Sequence, residues 1–332
     1  MSRILITGAN GFIGSFLVEE ALRQNHEVYA GVRSSSNLQY LDADRSHILR
    51  LDLSDREKLK QEWEKLDIPG FDYVIHNAGA TQVVDPSDFD RINNQYTQNL
   101  LESLVEAKFA PRKFILMSSL AAMGPGDAKS MLPIEPSDQP APITHYGRSK
   151  LRVEQYLKKQ QEVPYLIFRP TAVYGPRDKD FLSLFKAIQN HIEPYISSPK
   201  QQLSFIYVKD LARLLIQSAG SLVSNRTFFV SDGETYTCRQ LSKISKKALA
   251  KWTFPLVIPR PLLKCIALLS EKAAQARSKT SLLNSDKYKE LTSMNWACNS
   301  QETLEAFKFI PQYDLETGIA SSIQWYRKNK QL

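Results

Sequence analysis

Cysteine is scarce in this chain and forms no pattern: Cys238, Cys265 and Cys298 are odd in number, far apart and never a CxxC pair. That excludes a disulfide framework and a cysteine-based zinc site, and it fits a reducing compartment, so the expected location is the cytoplasm. Histidine is also sparse. The five residues are scattered, and no metal is expected to be bound. No apolar run is long enough to span a bilayer. The N-terminal run breaks at Thr7-Gly8, too early for a cleavable signal. Internal repeats and low-complexity segments are missing as well. The sequon Asn225-Arg226-Thr227 is a pattern only in that setting.

Acidic residues are outnumbered, 35 against 43 basic, for a net charge of +8. The surplus is not gathered in one block. Its densest runs, Lys246-Lys247 and Arg327 to Lys330, read as solvated helix faces, so no nucleic-acid partner is expected. An anionic cofactor or substrate would use some of this charge. At 332 residues the chain can bury a large core, in two lobes rather than one small domain.

What is present is concentrated at the start. Ile4, Leu5 and Ile6 form an apolar run, Gly8, Gly11 and Gly14 follow at once, and Ser15 to Gln24 reads as a helix. Strand, glycine turn and helix build a dinucleotide site, because glycines admit a pyrophosphate to the backbone and the helix N-terminus supplies N–H donors. His26 to Arg33 reads as a second strand, whose far end would meet the adenosine ribose. A carboxylate there selects NAD and an arginine NADP. Val28 to Asn37 holds no carboxylate, whereas Arg33 is followed by Ser34, Ser35 and Ser36. NADP(H) is therefore favoured, with NAD(H) the alternative.

Further strands are predicted at Ile48–Leu53, Phe71–His76, Lys113–Met117, Tyr165–Phe168 and Thr227–Val230, with helices at Phe89–Ala107, from Tyr146, and at Arg239–Ala250. Leu203 to Gln217 reads as a short strand and helix. This alternation calls for an α/β fold, a Rossmann-type doubly wound parallel sheet with a smaller C-terminal substrate lobe. The expected division is 1–175 with about 203–232 for the nucleotide domain, and 176–202 with about 233–332 for the substrate lobe.

Tyr146 and Lys150 share one helix face. A tyrosine becomes a workable acid or base when its pKa falls by about 3 units from about 10. One ammonium about 4 Å away, at an effective dielectric near 20, supplies that much. Lys150 would thus tune Tyr146, and Ser119 would orient the reacting oxygen. Tyr326 and Lys330 repeat the spacing with no strand or Ser-Ser pair before them, and read as a surface helix end.

Together these residues resemble the extended short-chain dehydrogenase/reductase family, which includes the NAD-dependent epimerase/dehydratases. The resemblance rests on the glycine turn, Asp52-Leu53, His76-Asn77-Ala78-Gly79, Ser118-Ser119, Tyr146 with Lys150, and Arg169 to Pro176. It implies catalytic roles for Ser119, Tyr146, Lys150 and Asn93, the last matching an asparagine of a central helix. For the cofactor it implies Gly8, Asn10, Gly11, Phe12, Ile13, Gly14, Arg33, Ser34, Asp52, Leu53, Asn77, Ala78, Gly79 and Lys150. Pro170, Thr171 and Val173 would lie against the nicotinamide. Candidate substrate contacts are Thr81, Ser119, His145, Tyr174 and Arg177. Oligomeric state is open; helices near 90–107 and 146–160 could form the four-helix homodimer interface found in relatives.

Two departures narrow the activity. Family dehydratases carry an Asp-Glu pair where this chain has Leu120 and Ala121, so dehydration is not expected. Sugar-nucleotide epimerases place an arginine where this chain has Leu203, although Arg177 is a candidate substitute. The C-terminal part looks like the dihydroflavonol reductase and 3β-hydroxysteroid dehydrogenase branch. Its proline-broken apolar stretch, Val257 to Leu269, would pack as a helix, line a hydrophobic pocket or touch a membrane surface at 255–270. Trp252, Trp296 and Trp325 are expected in the core. The expected activity is an NADP(H)-dependent oxidoreductase interconverting a ketone and a secondary alcohol. The alternatives are an NAD-bound sugar epimerase and a non-catalytic dinucleotide-binding protein.

Overall fold

The computed structural model describes residues 1–196, 198–275, 280–281 and 283–332. It divides into two compact units, the first made of residues 1–122, 145–169 and 212–228, the second of 123–144, 170–211 and 229–332.

The first unit is built on β1 (Arg3–Thr7), β2 (Glu27–Val32), β3 (His47–Arg50), β4 (Tyr73–His76), β5 (Lys113–Met117) and β6 (Tyr165–Pro170). Strand order is β3-β2-β1-β4-β5-β6, every pair parallel, with the later strand Arg226–Val230 bordering β6. Near-continuous apolar runs such as Ile4-Leu5-Ile6 and Phe114-Ile115-Leu116 suit strands covered on both faces. The helices are α1 (Phe12–Arg23), α2 (Arg56–Glu64), α3 (Asp88–Asp90), α4 (Tyr96–Glu106) and α5 (His145–Lys159), with a π-helical turn at Arg91–Gln95. Trp63 of α2 anchors one side of the core and donates its indole N–H to Ser103 Oγ at 2.9 Å.

Strand order reverses between β1 and β4, and the crevice beyond their carboxyl ends is where ligands of open α/β sheets bind. The predicted third strand is shorter than expected, ending at Arg50. Asp52 lies beyond it in a turn, accepting from Ser54 N–H at 3.1 Å.

The second unit contains β7 (Ala172–Tyr174), β8 (Ile192–Ile196), β9 (Gln202–Leu203) and β10 (Phe205–Tyr207), then β12 (Tyr236–Thr237), β13 (Phe254–Ile258) and β14 (Asn295–Trp296), the bordering strand Arg226–Val230 being β11. They make three small sheets, β10-β7, β12-β9-β14 and β13-β8. Its helices are α6 (Lys179–Gln189), α8 (Cys238–Leu249), α9 (Arg260–Gln275), α10 (Ser285–Thr292), α11 (Gln301–Ala306) and α12 (Leu315–Lys328), and α7 (Val208–Ala219) runs from this unit into the first. Asp210 accepts the backbone N–H groups of Gln312 and Tyr313, both at 2.9 Å, which fixes the entry to α12.

Several expectations are corrected here. Residues 123–144 group with the second unit because Gly126 N–H bonds Asn295 O at 2.9 Å and Ile134 N–H bonds Ala297 O at 2.8 Å. Residues 170–175 and 203–211 group with it too. Tyr326 does not end a surface helix. It is fully buried, with its hydroxyl donating to Gly175 O at 3.0 Å. Trp252 is not a core residue: it is 62% exposed and stacks on His191 with ring centroids 4.4 Å apart.

Candidate active site

The glycine turn closes at the β1–β4 reversal. Gly8 has φ of +64°, and a Cβ there would come within 2.9 Å of the Ala78 backbone beyond β4. Gly14 is excluded from carrying any side chain, since its Cβ would stand 2.1 Å from Gly8 O. Gly11 differs. It is exposed, it caps α1, and a Cβ would meet only Gly8 O at 3.2 Å. The first turn of α1 has no acidic residue and no side-chain cap. Its N–H groups and positive dipole end are thus left for an external anion, as a pyrophosphate requires. Asn10, Phe12 and Ile13 are half-buried around this opening, and Asn77 Nδ2 donates to Gly8 O at 3.4 Å. These residues fit a dinucleotide.

Behind the turn runs an ordered chain of hydrogen bonds. Ala78 N–H donates to Thr7 Oγ1 at 3.2 Å, and Thr7 Oγ1 lies 2.7 Å from His76 Nδ1. His76 Nε2 lies 2.9 Å from Thr97 Oγ1, which donates to Asn93 O at 2.8 Å. Because Thr97 donates onward, His76 Nε2 carries the proton and Nδ1 accepts, so the neutral imidazole satisfies every partner. Burial, reinforced by the Lys150 charge, lowers the His76 pKa to about 3.

The sign of the resulting pH effect follows directly. Between pH 6.5 and 3 the unfolded chain takes up a proton that the native imidazole refuses, so stability falls as pH falls, by about 1.4 kcal/mol per pH unit. The variant His76→Gln is expected to be less stable at pH 7 but to lose stability more slowly on acidification. Urea unfolding from pH 6 to 4.5 reads the two slopes; equal slopes would contradict it.

Asn93 stands in the π turn, where an extra backbone residue re-aims the chain. Its side chain accepts from Ala80 N–H at 2.7 Å and donates to Ala80 O at 3.0 Å and Ser149 Oγ at 2.9 Å. Ser149 in turn donates to Tyr146 O at 2.7 Å. Asn93 is therefore a positioning residue, locking the post-β4 loop to the first turn of α5. A Cβ on Gly79 would sit 2.9 Å from Asn93 Oδ1 and 3.3 Å from Lys150 Nζ, so this loop passes directly over both.

Tyr146 is half-buried at the start of α5, 5.9 Å from the Phe89 ring between centroids. Lys150, one turn on, is buried and donates to Met117 O at 2.8 Å, at the end of β5. Its Nζ is 6.0 Å from the Tyr146 ring centroid. Burial lowers the Lys150 pKa to about 8, and Glu154 opposes that shift. The lysine is thus largely cationic at neutral pH. Two residues past Met117, Ser119 accepts from Ala121 N–H at 3.1 Å, which leaves its O–H to donate. Leu120 and Ala121 are buried in the 3-10 turn that follows.

Under α5 lies a buried ion pair that single-residue motifs did not announce. Glu154 accepts from Arg169 Nε at 2.9 Å and from Ser118 Oγ at 2.5 Å. Glu154 is four residues beyond Lys150, and that spacing was the available signal. Thr97, four beyond Asn93, was signalled the same way.

Arg33 and Ser34 follow β2 and are exposed. Arg50, at the end of β3, joins them, its Nη1 donating to Arg33 O at 3.1 Å and Ser34 O at 2.6 Å. Leu53 O accepts from Asn99 at 3.0 Å, holding the Asp52-Leu53 turn against α4.

Pro170, Thr171, Val173, Tyr174 and Arg177 fall at or beyond the start of the second unit. Thr171 is buried, its N–H and hydroxyl both donating to Val230 O. Tyr174 is no substrate contact: it is fully buried, its hydroxyl donates to Asp314 O at 3.0 Å, and its ring abuts Gly318. Arg177 is half-buried with φ of +75°. Thr81 and His145 are exposed, flanking the post-β4 loop and opening α5.

The model of the NAD dependent epimerase/dehydratase family matches residues 4–230. The UDP-glucose 4-epimerase of Vibrio cholerae is 27% identical over 95% of this chain and 96% of its own length. The ceramide reductase of Caulobacter vibrioides is 25% identical, over 98% of this chain and 94% of its own. Among solved structures, UDP-glucose 4-epimerase from Thermotoga maritima with UDP-glucose superposes with a TM-score of 0.80, at 21% identity and 99% coverage of both chains.

Proposed function

Because the chain belongs to the NAD dependent epimerase/dehydratase family, we propose that it is an NADP(H)-preferring oxidoreductase interconverting a ketone and a secondary alcohol. The observation supporting this reading lies at the end of β2: Arg33 is exposed there, Arg50 donates to its backbone oxygen, and no carboxylate stands between Val28 and Asn37. The cofactor supplies the hydride. Tyr146 protonates the carbonyl oxygen in reduction, or takes the proton in oxidation. Lys150 keeps a positive charge beside the phenol, and Ser119 donates to the same substrate oxygen. Asn93 and Ser149 hold the first turn of α5 in register with the loop at Gly79. Leu120 and Ala121 supply no acid or base, which argues against loss of water.

The likeness in length and sequence to a ceramide reductase supports net reduction. A second reading, sugar epimerisation on retained NAD, is favoured by the comparable likeness to a UDP-glucose 4-epimerase. The nucleotide freed when purified protein is denatured separates the two. Little nucleotide, or NADP(H), is expected for the oxidoreductase. Stoichiometric NAD would move epimerisation to the front.

One charge-assisted contact is worth about 1.5–3 kcal/mol. The variant Arg33→Ala is therefore expected to weaken NADPH binding roughly ten- to hundredfold while changing NADH binding little. Fluorescence titration of each nucleotide measures it, and equal losses for both would remove Arg33 from the 2′-phosphate contact.

A further inference from the structure

We propose that β13 and the exposed side of α9 form a docking surface for an anionic phospholipid bilayer, which the protein touches from one side without crossing it. Among the described residues, fourteen large hydrophobic side chains are exposed, and eight of them fall between Trp252 and Leu269. They are placed with regularity. On α9, Leu263 and Ala267 are buried against the unit, whereas Leu262, Ile266 and Leu269 recur at helical spacing on an exposed stripe. Among the described residues β13 pairs only with β8, and it exposes Phe254, Leu256 and Val257. At its start Trp252 packs edge-on against Phe254, ring centroids 5.0 Å apart, and Ile192 of β8 is exposed in register with Phe254.

Charge decides what covers this surface. From Thr235 to Ser270 the chain has 36 residues and no Asp or Glu, but seven Lys or Arg. Lys246 and Lys247 of that set pair with Glu193 and Glu316. Lys251 and Lys264 are exposed beside the apolar side chains themselves, and Arg260, exposed as well, donates to Thr292 O at 3.2 Å. A second copy of the same cationic surface would repel this one, and a neutral partner would leave the charges unanswered. Acyl chains below a layer of anionic headgroups answer both, since each basic side chain near such a surface strengthens the contact. Trp252 sits where an aromatic belongs in this arrangement, between headgroup and acyl chain. No helix among the described residues is long and apolar enough to cross a membrane, so the contact is interfacial.

The test is flotation of the full chain with vesicles of phosphatidylcholine alone or mixed with phosphatidylglycerol, alongside sedimentation of the protein without lipid. The protein is expected to float with the mixed vesicles, to stay behind with the neutral ones, and to be released by high salt. The double variant Leu262→Glu/Leu269→Glu, both sites exposed, is expected to bind at least about tenfold more weakly with its unfolding midpoint unchanged. Tryptophan emission should shift to the blue on vesicle binding and lose that shift in Trp252→Phe, a reading that survives even if the double variant fails to fold. No flotation with mixed vesicles, equal flotation of the double variant, an emission shift retained in Trp252→Phe, or a dimer that the double variant dissociates would each overturn the proposal. Vesicle binding is read without turnover, so its failure leaves the proposed reaction standing.

Discussion

Replacing Tyr146 by phenylalanine is expected to lower turnover by about two to four orders of magnitude, the usual worth of a positioned general acid or base. The substitution removes one hydroxyl and little else. A phenyl ring keeps the contact with Phe89, 5.9 Å away, and Lys150 stays tied to Met117 O at 2.8 Å. The glycine turn is untouched, so NADPH affinity is expected within about twofold of the unaltered protein. Nucleotide titration and rate measurement on one preparation separate these effects. Unchanged turnover would remove Tyr146 from the chemistry, whereas loss of both turnover and binding would mean that α5 had shifted.

The second large effect is on stability. Glu154 and Arg169 are buried, 0% and 5% exposed at their side chains, so neither has water to fall back on. Removing one member leaves the other as an uncompensated buried charge, which costs about 3–5 kcal/mol. Arg169→Met is expected to lower the free energy of unfolding by that amount, read from denaturant midpoints at constant m. The double variant Arg169→Met/Glu154→Leu should recover much of the loss, because both charges then leave the interior together. Full recovery is not expected, since Ser118 would lose its acceptor at 2.5 Å. If each single variant unfolds like the unaltered protein, the pair is not holding α5 to β6.

The two effects meet at Lys150. Its charge has to survive burial, and Glu154 supplies the opposing pull. In the proposed mechanism Glu154, structural through its pairing with Arg169, therefore also helps to keep Lys150 charged.

The dinucleotide half of the molecule was legible because its signals are local. Apolar runs at Ile4–Ile6 and Lys113–Met117 predict the strands found, and the glycine spacing predicts the turn between β1 and α1. What escaped sequence reading is made of contacts between distant segments. Nothing near Thr7 announces that its hydroxyl lies 2.7 Å from His76, 69 positions away. Asn93 was singled out in the sequence as a candidate site residue, but the bonds of its amide to Ala80 and Ser149 reach across the fold and left no local signal. In the second unit, two-residue strands such as Gln202–Leu203 are too short to show periodicity. Trp252 was misplaced for a related reason. An apolar residue is presumed buried, and only the surrounding structure reveals that this one is not.

The measurement that tests the central claim most directly is the affinity of nucleotide-free protein for NADPH against NADH, by fluorescence titration at one ionic strength. If Arg33 meets the ribose end as proposed, with no Asp or Glu from Val28 to Asn37, NADPH is expected to bind roughly ten- to hundredfold more tightly. Equal affinities, or a preference for NADH, would contradict the NADP(H) oxidoreductase and favour epimerisation on retained NAD.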